Sequence, residues 1–217
     1  MKRITTIFLF LVLTCLTASY CVASTTTVSP MERLHSGVQG VIDVLNNPEY
    51  KGIPDKQGEM NAKVREIIKD FFNFRELSKR TIGRPWLNFS SKEQDRFISL
   101  FTQLLEETYL GKIGSYSSEK VSFDKETIIQ DKYAQVDTRI LSSSKSIPVV
   151  YRLKLINSVW DVYDVKVEGI SLVNNYRSQF AGILDTSSND KFETSKKNLF
   201  ERLEQKCQDL KNKQNKK

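Results

Sequence analysis

Apolar residues recur at helical spacing from residue 31 to 46, where Leu34, Val38, Val41, Ile42 and Leu45 share one stripe and Pro30 suits a first helical turn. Asn46-Asn47-Pro48 ends that helix, and 48–58, with Gly52 and Pro54, reads as a loop. A second helix runs from about Glu59 through Val64, Ile67, Ile68, Phe71 and Phe72. Phe74 and Leu77 then lead through a break to Ile82-Gly83. Ser90 with Glu93 three residues on forms a capping box, each side chain satisfying a free backbone N–H of the other. The long helix it opens aligns Phe97, Phe101, Leu104, Leu105 and Thr108, and Gly111 or Gly114 is its expected stop.

From Lys120 the period falls to two. Val121, Phe123 and Ile128 belong to the first strand pairing, and Tyr133, Gln135, Asp137, Arg139 and Leu141 alternate with Ala134, Val136, Thr138 and Ile140 in the next. Val149 to Ile156 reaches the short turn Asn157-Ser158, which passes directly into Val159 to Val167. Strands this close together pair antiparallel, since a parallel pair needs a long crossover. Ser171 is a fair N-cap for a helix whose stripe is Leu172, Val173, Tyr176, Phe180 and Ile183-Leu184. Thr186 to Asp190 is a polar hinge before a last helix carrying Phe192, Leu199, Leu203 and Leu210, which frays into a lysine-rich end. The expected class is α+β: a curved antiparallel sheet of about four strands wrapped by about five to seven helices.

Composition and charge sharpen this outline. The 217 residues are 39% hydrophobic and carry a net charge of +7, which permits one sizeable core. Lys2 and Arg3 supply two charges, and 191–217, with nine basic against four acidic residues, supplies five. The stretch 24–190 is balanced, which argues against nucleic acid as a partner, because phosphate binding needs cations concentrated on one surface. Lys2-Arg3, the apolar run from Ile4 to about Leu16 and Cys21-Val22-Ala23-Ser24 have the layout of an export leader cleaved after Ala23. The run is too short for a membrane span. A lipid anchor on Cys21 is the rival, but it would place bulky Tyr20 before the modified cysteine. Cleavage leaves Cys207 as the one cysteine, expected on the inner face of its helix, so no intramolecular disulfide is possible. The expected organisation is a leader over 1–23, an α+β domain over 24–190 and a basic helical tail over 191–217.

Motifs for chemistry are few. His35 has no nucleophile motif around it and reads as a surface residue, and one His with one distant Cys does not make a metal site. No phosphate-cradling glycine loop follows a strand. Asp161, Asp164 and Glu168 are read as solvated or ion-paired. Above background stands the aromatic supply: Phe97, Phe101, Tyr109, Tyr151, Trp160, Tyr163, Tyr176 and Phe180 come from two helices and a sheet face that can enclose one volume. That volume is either an ordinary filled core or an apolar cavity.

Three blocks carry a family resemblance: Phe74-Arg75-Glu76-Leu77-Ser78-Lys79-Arg80-Thr81-Ile82-Gly83, then Tyr109-Leu110-Gly111-Lys112-Ile113, then Val162-Tyr163-Asp164-Val165 with Glu168-Gly169-Ile170-Ser171-Leu172-Val173-Asn174-Asn175-Tyr176-Arg177-Ser178-Gln179-Phe180. Over about 31–185 the chain resembles the MlaC, or toluene-tolerance, family of periplasmic phospholipid-binding proteins. The resemblance implies a fold related to the NTF2-like cone, enclosing a hydrophobic cavity. It implies a glycerophospholipid as bound cargo, no cofactor, and a monomer in the periplasm. The implied partners are an inner-membrane lipid ABC transporter complex and an outer-membrane lipoprotein complex, between which lipid is shuttled. The role is physically reasonable: each acyl CH₂ in water costs roughly 0.8 kcal/mol, so two chains with on the order of 30 such groups face about 20 kcal/mol.

On these blocks the expected lipid-binding residues are Phe101, Leu105 and Tyr109 on one helix, Leu172, Val173, Tyr176 and Phe180 on another, and Leu153, Trp160, Val162, Val165 and Val167 on the sheet. Arg177 and Arg80 are the candidates for a phosphate at the mouth. Two other readings stand beside the carrier: an enzyme with Asp161, Asp164 or Tyr163 as acid or base in an apolar cavity, and a periplasmic adaptor that binds protein only. The tail is expected to lay its Leu199, Leu203 and Leu210 edge on the domain, or else to meet anionic headgroups or an acidic transporter surface.

Overall fold

The computed structural model describes residues 28–114, 119–142 and 145–214, so the expected leader over 1–23 lies outside the described residues. Helix α1 (Pro30–Asn46) opens on a capping box between Ser29 and Glu32, with Pro30 in its first turn. After a turn it runs into α2 (Gln57–Phe71). Asn73 then caps α3 (Phe74–Ile82), accepting from Glu76 N at 2.8 Å, so the expected break is only the bend between two helices. The expected capping box at Ser90 and Glu93 forms ahead of α4 (Ser91–Gly114).

Strands β1 (Lys120–Ile129), β2 (Tyr133–Leu141), β3 (Ser146–Ile156), β4 (Val159–Val167) and the short β5 (Ile170–Ser171) form an antiparallel sheet in chain order. Its connections use left-handed residues: Gln130 and Asp131, Asn157 and Ser158, Glu168 and Gly169 all have positive φ. Two such residues in a row make the mirror-image turn whose twist matches the strands it joins. Helices α5 (Leu172–Ala181) and α6 (Asn189–Gln214) complete the fold.

Two faces of the sheet are used differently. Ala134, Val136 and Thr138 on β2 stand opposite Leu153, Tyr151 and Val149 on β3, and this inner face packs against α1 and α2 around Leu34 and Phe71. A bulge keeps β4 on that pattern. Leu153 pairs with Val162 while Arg152 pairs with Asp164, which leaves Tyr163 as the extra residue. Strict alternation from Val162 would put Asp164 and Lys166 on the inner face. The bulge instead pairs Val165 with Tyr151 and Val167 with Val149.

The apolar interior falls into three clusters. One is helical, gathering Phe97, Phe101 and Leu104 of α4, Tyr176 and Phe180 of α5, and Leu199, Phe200 and Leu203 of α6. A second is the inner face of the sheet with Leu34 and Phe71, and a third joins α1, α2 and Leu110. Phe72 packs against the first two and Ile68 against the last two. Phe72 is pinned by a parallel bridge to Val162, and Asn73 N donates to Val162 O at 2.8 Å. The seam between helical and sheet clusters therefore runs through one aromatic side chain.

Candidate functional site

The expected lining residues divide between the first two clusters. Phe101, Leu105, Val173, Tyr176 and Phe180 are buried in the helical cluster. Phe101 meets Tyr176 and Phe180 with ring centroids 4.8 and 5.4 Å apart, both edge to face. Leu172 and Tyr109 lie half-buried at its margin. On the sheet, Leu153, Trp160 and Val162 are buried against Leu34 and Phe71, Val165 is half-buried, and Val167 is 44% exposed.

Cover over the sheet's inner face is incomplete. Phe123, Tyr151, Leu155 and Val165 pack on the cluster yet stay half-buried, as do Val38, Ile68 and Phe72 from the helices across it. These side chains form an apolar wall that the fold leaves partly uncovered. Phe123 is absent from the expected lining, and Tyr151 enters it only as part of the aromatic supply. The cross-strand register Val136, Tyr151, Val165 is the signal that places Tyr151 there, and it needs the bulge to be known. Desolvation pushes the Tyr151 phenol up to about 12. Tyr176 is also pushed up to about 12, by burial first.

The candidate cations are engaged within the protein on the other face. Arg80 lies 4.0 Å over the Tyr163 ring and 5.5 Å from that of Tyr133, and it pairs with Glu76 at 2.8 Å. Glu76 also holds Lys154 at 3.0 Å. Burial pushes its carboxyl up, but the hydrogen bonds from Lys154 and Arg80 outweigh this and leave it below the ordinary carboxylate range. Arg177 spends its guanidinium on the Arg80 carbonyl, donating at 2.8 and 2.6 Å.

The carboxylates of the enzyme reading have structural partners as well. Asp164, 1% exposed, accepts from Ser171 Oγ at 2.7 Å and Val173 N at 3.0 Å, closing the start of α5, with Arg152 at 3.5 Å. Asp161 accepts from Asn73 at 3.2 Å. His35 is exposed, its ring 4.8 Å from Phe123. Among the described residues no group of three or more His, Cys, Asp or Glu is placed to hold a metal ion, and no helix is long and apolar enough to cross a membrane. A surface cleft of about 570 Å³ between α2, α4 and α6 has Phe74, Ile98 and Thr102 among its lining residues and is flanked by the Arg65–Glu106 ion pair at 2.7 Å.

A partly uncovered apolar wall thus lies beside an aromatic helical cluster. The family model for the MlaC protein matches residues 36–205, from α1 into α6. The chain belongs to the MlaC family. It is 21% identical over 132 residues to the intermembrane phospholipid transport system binding protein MlaC of Haemophilus influenzae, a match covering 58% of this chain and 62% of that protein. The toluene tolerance protein ttg2D of Pseudomonas putida is 25% identical over 164 residues, covering 72% and 75%. Among solved structures, the phospholipid-binding protein of Ralstonia solanacearum in complex with a phospholipid superposes with a TM-score of 0.70 at 20% identity, over 84% of this chain and 98% of that one. The MlaC match thus includes most of α6, whose buried edge is part of the helical cluster.

Proposed function

We propose that this MlaC-family chain is a periplasmic phospholipid carrier that shields acyl chains in a slot opening along the inner face of its sheet. The observation that carries the reading is the half-buried apolar wall of Phe123, Tyr151 and Val165 facing Val38, Ile68 and Phe72 in a chain of this family. Acyl chains enter between the helical and sheet clusters, parting them at Phe72 and reaching Leu105, Tyr109 and Leu172 on one side and Val162, Val165 and Val167 on the other. The headgroup stays at the solvent end of the slot. Burying about 30 methylenes offsets the roughly 0.8 kcal/mol that each loses in water, and no covalent chemistry is required. The leader pattern of residues 1–23 supports export to the periplasm. There the carrier exchanges lipid as a monomer between an outer-membrane lipoprotein complex and an inner-membrane ABC transporter complex, the partners the family resemblance implies.

Native mass spectrometry of the purified protein, with organic extraction of the same sample, tests the reading. The expected result is a stoichiometric phospholipid and its uptake from donor vesicles. A protein that carries none and takes none up is not a carrier.

A further inference from the structure

Between α3 and α4 the chain makes a 3₁₀ turn, Arg84–Asn88, that the carrier reading leaves unused. The turn is fixed at several points. Gly83, at φ 72°, leads the chain out of α3, and Pro85 presets the backbone of the turn itself. The Trp86 ring is buried, stacking on Phe89 at 6.0 Å and meeting Phe97 edge to face at 6.1 Å. Gln94 donates to the carbonyls of Trp86 and Phe89, at 3.3 and 3.1 Å, and so ties the turn to the start of α4. Next to this anchor, Leu87 is 77% exposed, the most exposed large apolar side chain among the described residues. A leucine held outward by a fixed turn cannot fold back onto the protein, so its apolar surface stays available for a partner.

The charge around Leu87 has one sign. From Leu77 to Lys92 the chain carries Lys79, Arg80, Arg84 and Lys92 and no carboxylate, and from Gly169 to Leu184 it carries Arg177 alone. The second stretch lies beside the first: Arg177 donates to Arg80 O at 2.8 and 2.6 Å and passes close to Gly83. The carboxylates nearest in sequence are already paired, Glu76 with Arg80 and Lys154, Glu93 with Lys196, and Asp95 with Arg75. Lys79, Arg84 and Lys92 stand exposed. Cations around a protruding aliphatic group complement an anionic bilayer, where the charges meet headgroups and the side chain enters the boundary with the acyl chains. An acidic protein would have to offer a pocket matched to one convex side chain, whereas a fluid bilayer forms around it. We propose that the Arg84–Asn88 turn docks on an anionic lipid surface, with Leu87 inserted and Lys79, Arg84 and Lys92 on the headgroups. This contact goes beyond the carrier reading, because it concerns where the protein meets a membrane and not what it holds inside.

The test mixes the exported protein with phosphatidylcholine vesicles, pure or holding about 30% phosphatidylglycerol, at about 0.1 M salt, and reads the bound fraction by flotation. Partitioning is expected to be about tenfold stronger onto the anionic vesicles. It is expected to fall about tenfold in the double variant Arg84→Glu/Lys92→Glu and about threefold in Leu87→Ser. The control Lys125→Glu/Lys132→Glu makes the same change of charge on β1 and in the turn after it, and is expected to stay within about twofold of the parent, because charges beyond about 10 Å are screened. All five substituted residues are exposed, so each variant is expected to melt with the parent. No anionic preference in the parent, an equal loss in the control, or undiminished binding in either variant of the turn overturns the docking role. Each of these outcomes leaves the carrier reading standing, since native mass spectrometry of the cargo decides that separately.

Discussion

Asp164 belongs by simple alternation to the face of Val162, and the extra residue Tyr163 moves it to the other. There it holds Ser171 and the first turn of α5. Asp164→Ala leaves Val173 N and Ser171 without that acceptor, so equilibrium urea unfolding is expected to show a loss of about 2–3 kcal/mol. An unchanged midpoint would mean that α5 does not depend on this cap. Gly37 answers to packing of another kind: a Cβ there would lie 2.5 Å from the Phe71 ring, where α1 crosses α2. Gly37→Ala is expected to lose about 1–3 kcal/mol in the same measurement, since the ring on the other side is held in the sheet cluster. Apolar periodicity names the residues of a stripe but not what they face, and this limits residue-level reading. Phe101 and Val165 both answer the pattern, yet one is fully buried among helices and the other stays partly uncovered on the sheet.

Among the elements, α6 lays its Leu199, Leu203 and Leu210 edge on the domain, as expected, with Cys207 inward. Phe192, Leu199, Phe200, Leu203 and Cys207 are buried against α4, and Lys196, 4% exposed, pairs with Glu93 at 2.7 Å and Glu193 at 2.9 Å. Arg96 reaches Glu204 at 2.7 Å and covers the Phe200 ring. A chain ending after Ser187 would uncover Phe89, whose ring meets Phe192 and Phe200, and is expected to lose its near-ultraviolet circular dichroism and bind a hydrophobic dye. One ending after Glu204 keeps most of that edge and is expected to retain the tertiary signal. Charge around α6 gives the pH dependence. Burial pushes the Glu93 carboxyl up, but bonds from Lys196 and Ser90 outweigh it and hold it below its ordinary 4.5. A depressed carboxylate contributes stability that is present above 4.5 and lost as pH falls through its folded value, and Glu76 acts in the same direction. Lys196 is the reverse case: desolvation lowers it, the two glutamates outweigh this, and its contribution is present below 10.5 and lost only as pH rises beyond. Melting temperature is therefore expected to hold across neutral pH and fall below about 4.5, less steeply in Lys196→Met, where Glu93 no longer gains from its partner. The helical period marks α6 clearly. Its burial depends on α4 lying alongside, and α3, only nine residues long, offers too few turns for its period to stand out from a break.

At the scale of the whole molecule, the helical and sheet clusters meet at Phe72, where the proposed cargo would part them. A lipid bound to the folded state alone stabilises it by mass action, about 2.7 kcal/mol at a hundredfold excess over the dissociation constant. Melting of the lipid-loaded protein is expected several degrees above the delipidated form in differential scanning calorimetry, and equal melting temperatures would count against cargo inside the fold. Much of this molecule is determined by local sequence. Ser29, Ser90 and Ser171 start helices because a short hydroxyl side chain satisfies free N–H groups one turn ahead. The period of two after Lys120, with its short turns, makes an antiparallel sheet the available solution, and the three blocks from Phe74 to Phe180 carry the family. These features depend on residues a few positions apart, so the chain declares them. Tertiary structure decided what the stripes face: the β4 bulge that realigned Val165 and Val167, the burial of α6, the use of Arg80 and Arg177 inside the fold, and the place of Tyr151 on the inner face of the sheet. Each depends on residues far apart in sequence meeting in space, and an apolar side chain has the same periodicity whether a protein neighbour or a lipid covers it.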